Sequence, residues 1–362
     1  MEEKIVLNIH DLDISFKTRK GLIHAIRGVD IRLKKGECVA IVGESGSGKS
    51  VTTKSVVGLL SENAIVNQGR VDLLFENDGV EENVNLLEKD IKWIRRNVNG
   101  RKVAMVFQDP MSSLDPLMTI GKQIIEAIMW HFDVSRIDAE NKAKRLLDEV
   151  GIVDVEKCMK QFPHQLSGGM RQRVVIAIAL SCDPEILICD EPTTALDVTI
   201  QAKILDLIVD LQVKRGLSIV FITHNLGVVA KVADYIYVMY AGQIVEKGSE
   251  IDIFYNPKHP YTWGLLSAMP TLDTSDKRLY SIPGTPPNLM YEVKGDAFAP
   301  RNKYALEIDF KEAPPMFKIS DTHYAATWLL DERAPHVEIP EVVKAIIDRM
   351  KEDARKEAEE HE

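Results

Sequence analysis

The sequence predicts an α/β protein built on a mostly parallel β-sheet, with an antiparallel β subdomain, a helical subdomain and a small loop-rich C-terminal unit. Three observations lead to this fold class. Uniformly apolar segments alternate with helical patterns through the middle of the chain, the first forty residues alternate apolar and polar positions, and prolines accumulate after residue 256. Buried strands joined by helices imply right-handed crossovers and a parallel sheet.

The N-terminal segments KIVLNIHDLDISF (4–16) and AIRGVDIRLKKGE (25–37) predict half-buried antiparallel strands, with a turn at Lys34–Gly36. CVAIV (38–42) is apolar throughout, which is typical of a strand buried on both faces. Further strands are predicted at 102–107, 185–191, 218–223 and, as a pair, within 236–248. Helices are predicted at 49–60, across 119–160, and at 171–182, 199–214 and 226–232.

A change in composition near 250–256 predicts a boundary between residues 1–250 and 251–362. The helical subdomain is expected at about 115–165, inside the first part. The stretch after the boundary is rich in proline, as in SIPGTPPNLM and EAPPMF. The last stretch, EVVKAIIDRMKEDARKEAEEHE, is densely charged and mixes acids with bases. We interpret this stretch as a solvated helix or frayed tail rather than a membrane anchor.

Composition narrows the class of protein. The 362 residues carry a formal net charge of −10, so we expect no nucleic-acid partner, because phosphate neutralisation needs clustered Lys and Arg. No apolar run approaches the roughly 20 residues that span a bilayer, and the N-terminus lacks a signal-peptide core. The cysteines are scattered without a CxxC pair, which argues against a disulfide framework or a zinc site and favours a reducing cytoplasm. They are Cys38, Cys158, Cys182 and Cys189.

The segment GESGSGKS (43–50) predicts a phosphate-binding loop, because it fits G-x-x-x-x-G-K-[ST], follows a predicted strand and opens a predicted helix. Glycines let main-chain N–H groups approach a triphosphate, and the helix directs its positive end at the anion. Lys49 would bridge the β- and γ-phosphates of ATP, and Ser50 would bind Mg²⁺. The residues expected at the nucleotide here are Gly43, Glu44, Ser45, Gly46, Ser47, Gly48, Lys49, Ser50 and Val51.

The segment ILICDE (186–191) ends an apolar strand in two acids. The carboxyl end of a strand is where open α/β sheets bind ligands. We expect Asp190 to hold Mg²⁺ through its water shell and Glu191 to act as general base on the attacking water. Alone, such a pair is more often a helix cap or a turn, but the neighbouring phosphate-binding loop favours catalysis.

Four further strings resemble the motifs of ABC ATPases, in the family's order and over about residues 4–250. LSGGMRQR (166–173) resembles the signature sequence, and ALD (195–197), with Asp197, resembles the D-loop. Gln108 in VFQDP resembles the Q-loop glutamine, and His224 in FITHN the switch histidine. The residues alone permit plainer interpretations, namely an ordinary helix start at SGGM and a helix cap at His224.

The resemblance implies a P-loop NTPase (RecA-like) fold and a role for each motif. Ser167, Gly168 and Gly169 would meet the γ-phosphate held by a second subunit, so that two nucleotides lie between head-to-tail ATPase domains. Gln108 would sense Mg²⁺ or the water, and His224 would hold the γ-phosphate and that water. Phe16 matches the aromatic residue that stacks on adenine, although a core position explains it equally well.

Three longer strings resemble the ATPase subunits of oligopeptide and dipeptide ABC importers, up to about residue 330: FQDPMSSLDPLMTIG (107–121), NPKHPYTWGLLSAMP (256–270) and IPGTPP (282–287). The resemblance implies a second, paralogous ATPase subunit, two transmembrane permease subunits and, indirectly, an external solute-binding protein. It also implies a peripheral position on the cytoplasmic face of the membrane. Nickel or another small solute is the alternative cargo.

The extension departs from the family at one point. Many relatives carry four cysteines there, thought to ligate an iron–sulfur cluster, whereas the aligned positions here are Asp296, Asn302, Asp309 and Thr327. We therefore predict no cluster, since its ligation needs cysteine sulfur. Two other functions stay open at this point: a soluble ABC ATPase of DNA repair or translation, and an extension that binds a regulatory ligand or protein.

Overall fold

The computed structural model describes residues 4–77, 79–194, 196–269 and 282–360. Ala195 and Pro270 of the quoted motifs, and the last two residues of the terminal helix prediction, lie outside this part. The strands are β1 (Ile5–Thr18), β2 (Gly21–Lys34), β3 (Cys38–Val42), β4 (Ala64–Asn77), β5 (Val80–Asn85), β6 (Val103–Val106), β7 (Ile186–Asp190), β8 (Ser218–Thr223), β9 (Tyr235–Tyr240), β10 (Gln243–Ser249), β11 (Phe317–Lys318) and β12 (Tyr324–Ala325).

The α-helices are α1 (Lys49–Val56), α2 (Ile91–Asn97), α3 (Pro110–Ser113), α4 (Ile120–His131), α5 (Arg136–Glu149), α6 (Val155–Lys160), α7 (Gly168–Ala179), α8 (Val198–Arg215), α9 (Leu226–Val229), α10 (Glu250–Tyr255), α11 (Pro260–Ser267) and α12 (Glu341–Glu360). Short 3₁₀ turns lie at Leu86–Glu88, Pro163–Gln165, Leu180–Cys182, Ala299–Arg301, Glu307–Phe310 and Trp328–Leu330.

The larger sheet has the strand order β11-β12-β10-β9-β3-β8-β7-β6. Five neighbouring strands, from β9 to β6, run parallel, as the apolar segments joined by helices predict. β10, β12 and β11 continue one edge in antiparallel pairing. β3, β7 and β8 are buried at every position, which explains why they lack alternation in the sequence.

The smaller sheet is antiparallel, in the order β2-β1-β4-β5. Its first two strands and the turn that follows them were expected, and Gly36 adopts φ +75° in that turn. β4 and β5 were not predicted. Residues 65–68 at the start of β4 include none that is fully buried, so no clear alternation marks the strand in the sequence.

Three helices differ clearly from the prediction, namely α1, α7 and α9, and α9 ends at Val229 rather than residue 232. α1 ends at Val56 rather than residue 60, because Gly58 adopts φ +65° and lies against Ile94, 3.0 Å from where a Cβ would stand. α7 begins earlier than residue 171, at Gly168, since the Ser167 hydroxyl caps it by accepting from the Met170 N–H at 3.4 Å. Between Val51 and Leu166 the longest helix among the described residues is α5, with 14 residues.

The extension after residue 250 shares a hydrophobic core with the parallel sheet. Buried side chains of β3 and β9 form one cluster with α11 and α12. α12 is therefore not a fully solvated helix, because Val343 and Ile347 are buried in that cluster. No helix in the described ranges is both long enough and apolar enough to cross a membrane.

Candidate nucleotide-binding site

The predicted site residues meet where four neighbouring parallel strands end. β3 leads into the loop 43–48, β6 is followed by Gln108, β7 ends at Asp190 and β8 is followed by His224. Because these strands are adjacent in the sheet, their carboxyl ends open on one cleft of about 570 Å³. Its lining comprises Ala25, Glu44, Ser45, Gly46, Gly48, Lys49, Ser50, Val51, Gln108, Glu191, Thr194 and His224.

The loop requires glycine at its two ends for steric reasons. A Cβ on Gly43 would stand 2.0 Å from the main-chain oxygen of Met239, on the neighbouring strand β9. Gly48 has φ +108°, and a Cβ there would lie 2.6 Å from Ile26 Cδ1. Packing against β9 and β2 thus forces the loop to present main chain rather than side chains at the cleft.

The Lys49 ammonium is buried within the loop. Its Nζ donates to the main-chain oxygens of Gly43 at 2.7 Å and Glu44 at 2.9 Å, and lies 3.4 Å from Ser47 Oγ. Burial lowers the pKa of Lys49, and the carboxylates of Glu191, Asp190 and Glu44 oppose that change. The side chain is thus a cation held in place by the loop that surrounds it.

Ser50 lines the cleft and forms a pair of oxygen groups with the buried Asp190. The Ser50 hydroxyl donates to Asp190 Oδ1 at 2.9 Å. Burial raises the pKa of Asp190, and this hydrogen bond opposes the change. Hydroxyl and carboxylate oxygens suit Mg²⁺, which normally takes few protein ligands and keeps waters or phosphate oxygens. No cluster of three or more His, Cys, Asp or Glu side chains that could hold a metal occurs in the described part of the chain.

The Glu191 carboxylate contacts three other polar side chains of the cleft. Its Oε2 accepts from Gln108 Nε2 at 3.1 Å and from the Thr194 hydroxyl at 3.0 Å, while Oε1 lies 3.3 Å from His224 Nδ1. Glu191 also has φ +48°, rare for a residue with a side chain, while its N–H donates to Ile222 O at 2.9 Å. The backbone thus departs from strand geometry at the residue that carries the carboxylate.

Other predicted residues lie elsewhere. Ser167 and Gly169 line a separate cleft of about 550 Å³, and Gly168 lies beside Leu196. Asp197 caps α8 by accepting from the Ile200 N–H at 3.0 Å. One chain therefore carries the phosphate-binding loop and the signature residues on two different clefts.

Phe16 is half-buried on β1, where it pairs with Ile23 and Ala64. It packs against the same hydrophobic cluster as Val51, which lines the 570 Å³ cleft at the loop 43–48 (the loop cleft). This position fits both a core residue and a residue beside the cleft.

Sequence reasoning missed three residues at the site. Thr194, three positions after Glu191, could have been found from that spacing. The side chains of Tyr261 and Arg301 reach Glu44 of the loop from the extension, and no sequence signal links positions so far apart.

The four positions aligned with cysteines do not fit an iron–sulfur cluster, because each is an oxygen-bearing turn residue. All four are buried, and each accepts a main-chain N–H: Asp296 from Phe298, Asn302 from Tyr304, Asp309 from Leu306 and Thr327 from Leu329, at 2.6 to 3.3 Å. Hard oxygen acceptors already engaged by the backbone offer no thiolate to iron. These side chains close their own turns.

The fold and the cleft together define a P-loop ATPase. Two solved structures agree with this class. A dimeric bacterial ABC transporter cassette, MJ0796, has a TM-score of 0.57 and 26% identity over 67% of this chain and 98% of its own. The cassette cbiO1 of Clostridium perfringens, part of an ABC transporter complex, has a TM-score of 0.58 and 27% identity over 70% of this chain and 92% of its own.

The chain belongs to the ABC transporter family, within the group of oligopeptide and dipeptide transport ATP-binding proteins. An ABC transporter family model matches residues 26–194, and a model of the oligopeptide/dipeptide transporter C-terminal region matches 245–308. A dipeptide transport ATP-binding protein, DppD of Lactococcus lactis, is 56% identical over 93% of this chain and 94% of its own. The oligopeptide transport ATP-binding protein OppD of Bacillus subtilis is 56% identical over 94% of this chain and 93% of its own.

Proposed function

We propose that this chain binds Mg·ATP in the loop cleft and hydrolyses it to drive the import of oligopeptides or dipeptides. The observation that carries the proposal is the convergence of Lys49, Ser50 and Glu191 on one cleft, with Asp190 hydrogen-bonded to Ser50, in a chain whose extension matches the oligopeptide/dipeptide transporter region. Names of relatives that are 56% identical over nearly the whole chain support the peptide cargo.

In this proposal each group has a task. The loop amides and Lys49 hold the phosphates, while Ser50, Asp190 and Gln108 hold Mg²⁺, which neutralises charge developing on the phosphates. Glu191 accepts a proton from the attacking water. His224 holds the γ-phosphate in line with that water, and Phe16 stacks on the adenine.

The cassette 1–250 would work with partners. The separation of the loop cleft from Ser167 and Gly169 favours a head-to-tail pair with a second ATPase subunit, in which Ser167 to Gly169 and Asp197 of one face the nucleotide of the other. A ligand shared by two subunits supplies the differential affinity that a closing transition requires. The helical region 115–165 would then move the permease subunits, at the cytoplasmic face of the membrane.

Uptake of labelled peptide tests the proposal. Cells lacking this gene should take up labelled di- and oligopeptides at background rate, and the wild-type gene should restore uptake. A gene carrying Glu191→Gln should not restore uptake, because the variant lacks the general base for ATP hydrolysis. Undiminished peptide uptake in the deletion strain, with nickel uptake lost instead, would contradict the peptide cargo.

A further inference from the structure

In the described part of the chain, every hydrogen bond between the C-terminal extension and the phosphate-binding loop involves Glu44. The Arg301 guanidinium donates to both carboxylate oxygens of Glu44, at 2.6 Å and 2.9 Å. The main-chain N–H of Glu44 donates to the Tyr261 hydroxyl at 2.8 Å. Both halves of this loop residue, side chain and amide, are thus engaged by the extension.

Two of the three strings that resemble those of peptide importers, NPKHPYTWGLLSAMP and IPGTPP, meet near this contact. Tyr261 belongs to HPYTW, where His259 caps α11 by accepting from the Tyr261 N–H at 3.0 Å. Arg301 Nε donates at 2.8 Å to the main-chain oxygen of Pro283, within IPGTPP. Residues of both motifs therefore hold the side chains of Tyr261 and Arg301 in position against Glu44.

The surroundings of Arg301 hold its guanidinium in one position. Its side chain is only 4% exposed, and Nη1 also donates to the Tyr240 hydroxyl at 3.2 Å. The guanidinium lies 5.7 Å from the Tyr240 ring and 6.0 Å from the Phe298 ring. A bidentate Arg–carboxylate pair in such surroundings fixes direction as well as charge.

Glu44 is the one acid in the loop 43–51, and it lines the cleft. An uncompensated carboxylate there would repel an incoming triphosphate, and through partly buried surroundings that repulsion is strong. Pairing with Arg301 cancels the charge, and the Tyr261 bond fixes the main chain at the same residue.

We propose that Arg301 and Tyr261 act as positioning residues for ATP, by which the extension neutralises and orients Glu44 and so sets the nucleotide affinity of the loop. This inference rests on the proposed placement of ATP in the loop cleft. It gives the extension a part in nucleotide binding that needs neither a metal cluster nor a separate ligand.

Fluorescence titration of the full chain with mant-ATP tests this inference. Arg301→Met should raise the Kd by about tenfold, because Glu44 then faces the phosphates unpaired. Adding Glu44→Gln to that variant should return the Kd to within about threefold of wild type, because the repelling charge is gone. Arg301→Lys, which keeps the charge but loses the bidentate fork, should give a Kd between those of wild type and Arg301→Met.

A matched control is Arg333→Met, which breaks another bidentate pair of the extension, with Asp331, and should leave the Kd unchanged. Thermal unfolding without nucleotide reports the folding of each variant. Glu44→Gln alone keeps Arg301 and should lower the Kd by about threefold, which decides the question even where Arg301→Met does not fold.

Two results would overturn the inference: a Kd for Arg301→Met within twofold of wild type, or a double variant as weak as Arg301→Met, which would mean that Arg301 acts only in folding. Weaker binding by Glu44→Gln alone would contradict it as well. A wild-type chain that binds no mant-ATP, or a Lys49→Ala variant that binds it normally, would instead overturn the placement of ATP in the cleft.

Discussion

At the scale of single residues, the chemistry of the site depends on a few buried charges and how each is compensated. Lys49 is held by main-chain oxygens, Asp190 by the Ser50 hydroxyl, and Glu44 by Arg301. Sequence patterns identified Lys49, Ser50, Asp190 and Glu44, because each belongs to the phosphate-binding loop or to the strand end ILICDE. They could not identify Arg301, since its role arises only from a fold that brings positions 44 and 301 together.

Asp296 is a buried acid whose titration gives a testable pH dependence. Burial, aided by the Asp309 carboxylate, raises the pKa of Asp296 from 3.8 to about 6, although the Phe298 N–H bond and the Arg27 charge both favour the carboxylate. Below pH 4 the carboxyl is protonated in both folded and unfolded chains. As the pH rises from about 4 through 6, the unfolded chain ionises first, so this stabilising contribution is lost.

Asp296→Asn keeps an oxygen that can accept from Phe298 and does not titrate. The variant should therefore gain stability relative to wild type between pH 4.5 and pH 7.5, by about 2 kcal/mol in the free energy of unfolding. Urea unfolding at both pH values measures the gain. Asp331→Asn is the control and should show no such gain, because Arg333 lowers the pKa of Asp331 to about 2. The account would be contradicted if Asp296→Asn and wild type differed in their free energy of unfolding by the same amount at both pH values.

At the scale of elements, the sequence predicted the strands that are buried on every side and the alternating strands β1 and β2, but it missed β4, β5, β11 and β12. β3, β7 and β8 are continuous apolar runs, so their type follows from composition alone. β4 is half exposed, and the two-residue strand β12 is defined by its pairing with β10, at Glu246 and Lys247, and with β11. Such edge pairing depends on long-range packing, which no local pattern records.

α12 provides a test of packing at this scale. Val343 is fully buried in the cluster that joins the extension to the parallel sheet, whereas its neighbour Val342 is 55% exposed. Val343→Ala should lower the free energy of unfolding by about 1–3 kcal/mol, through lost burial and the cavity left behind. Val342→Ala should change it by less than about 0.5 kcal/mol. Urea unfolding with equal losses for the two variants would show that α12 does not pack as described.

At the scale of the whole molecule, one chain presents two clefts, one at the phosphate-binding loop and one at Ser167 and Gly169, the signature cleft. The loop cleft and the signature cleft are separate, and the extension continues the edge of the same sheet that carries the loop. The resemblance to ABC ATPases predicted the P-loop fold, which the solved cassettes confirm. Its prediction of a nucleotide enclosed by two subunits stays a proposal, because a pocket completed by another chain cannot be read from one chain.

The structure of the Glu191→Gln chain, assembled with its ATPase partner in Mg·ATP, tests the central claim most directly. The substitution should leave binding intact and stop hydrolysis, so the closed state accumulates. We predict a triphosphate enclosed by the amides of the loop 43–50 and Lys49, with Ser167 and Gly169 of the facing protomer against its γ-phosphate. A triphosphate bound elsewhere, or one that no facing protomer covers in any assembled state, would contradict the account.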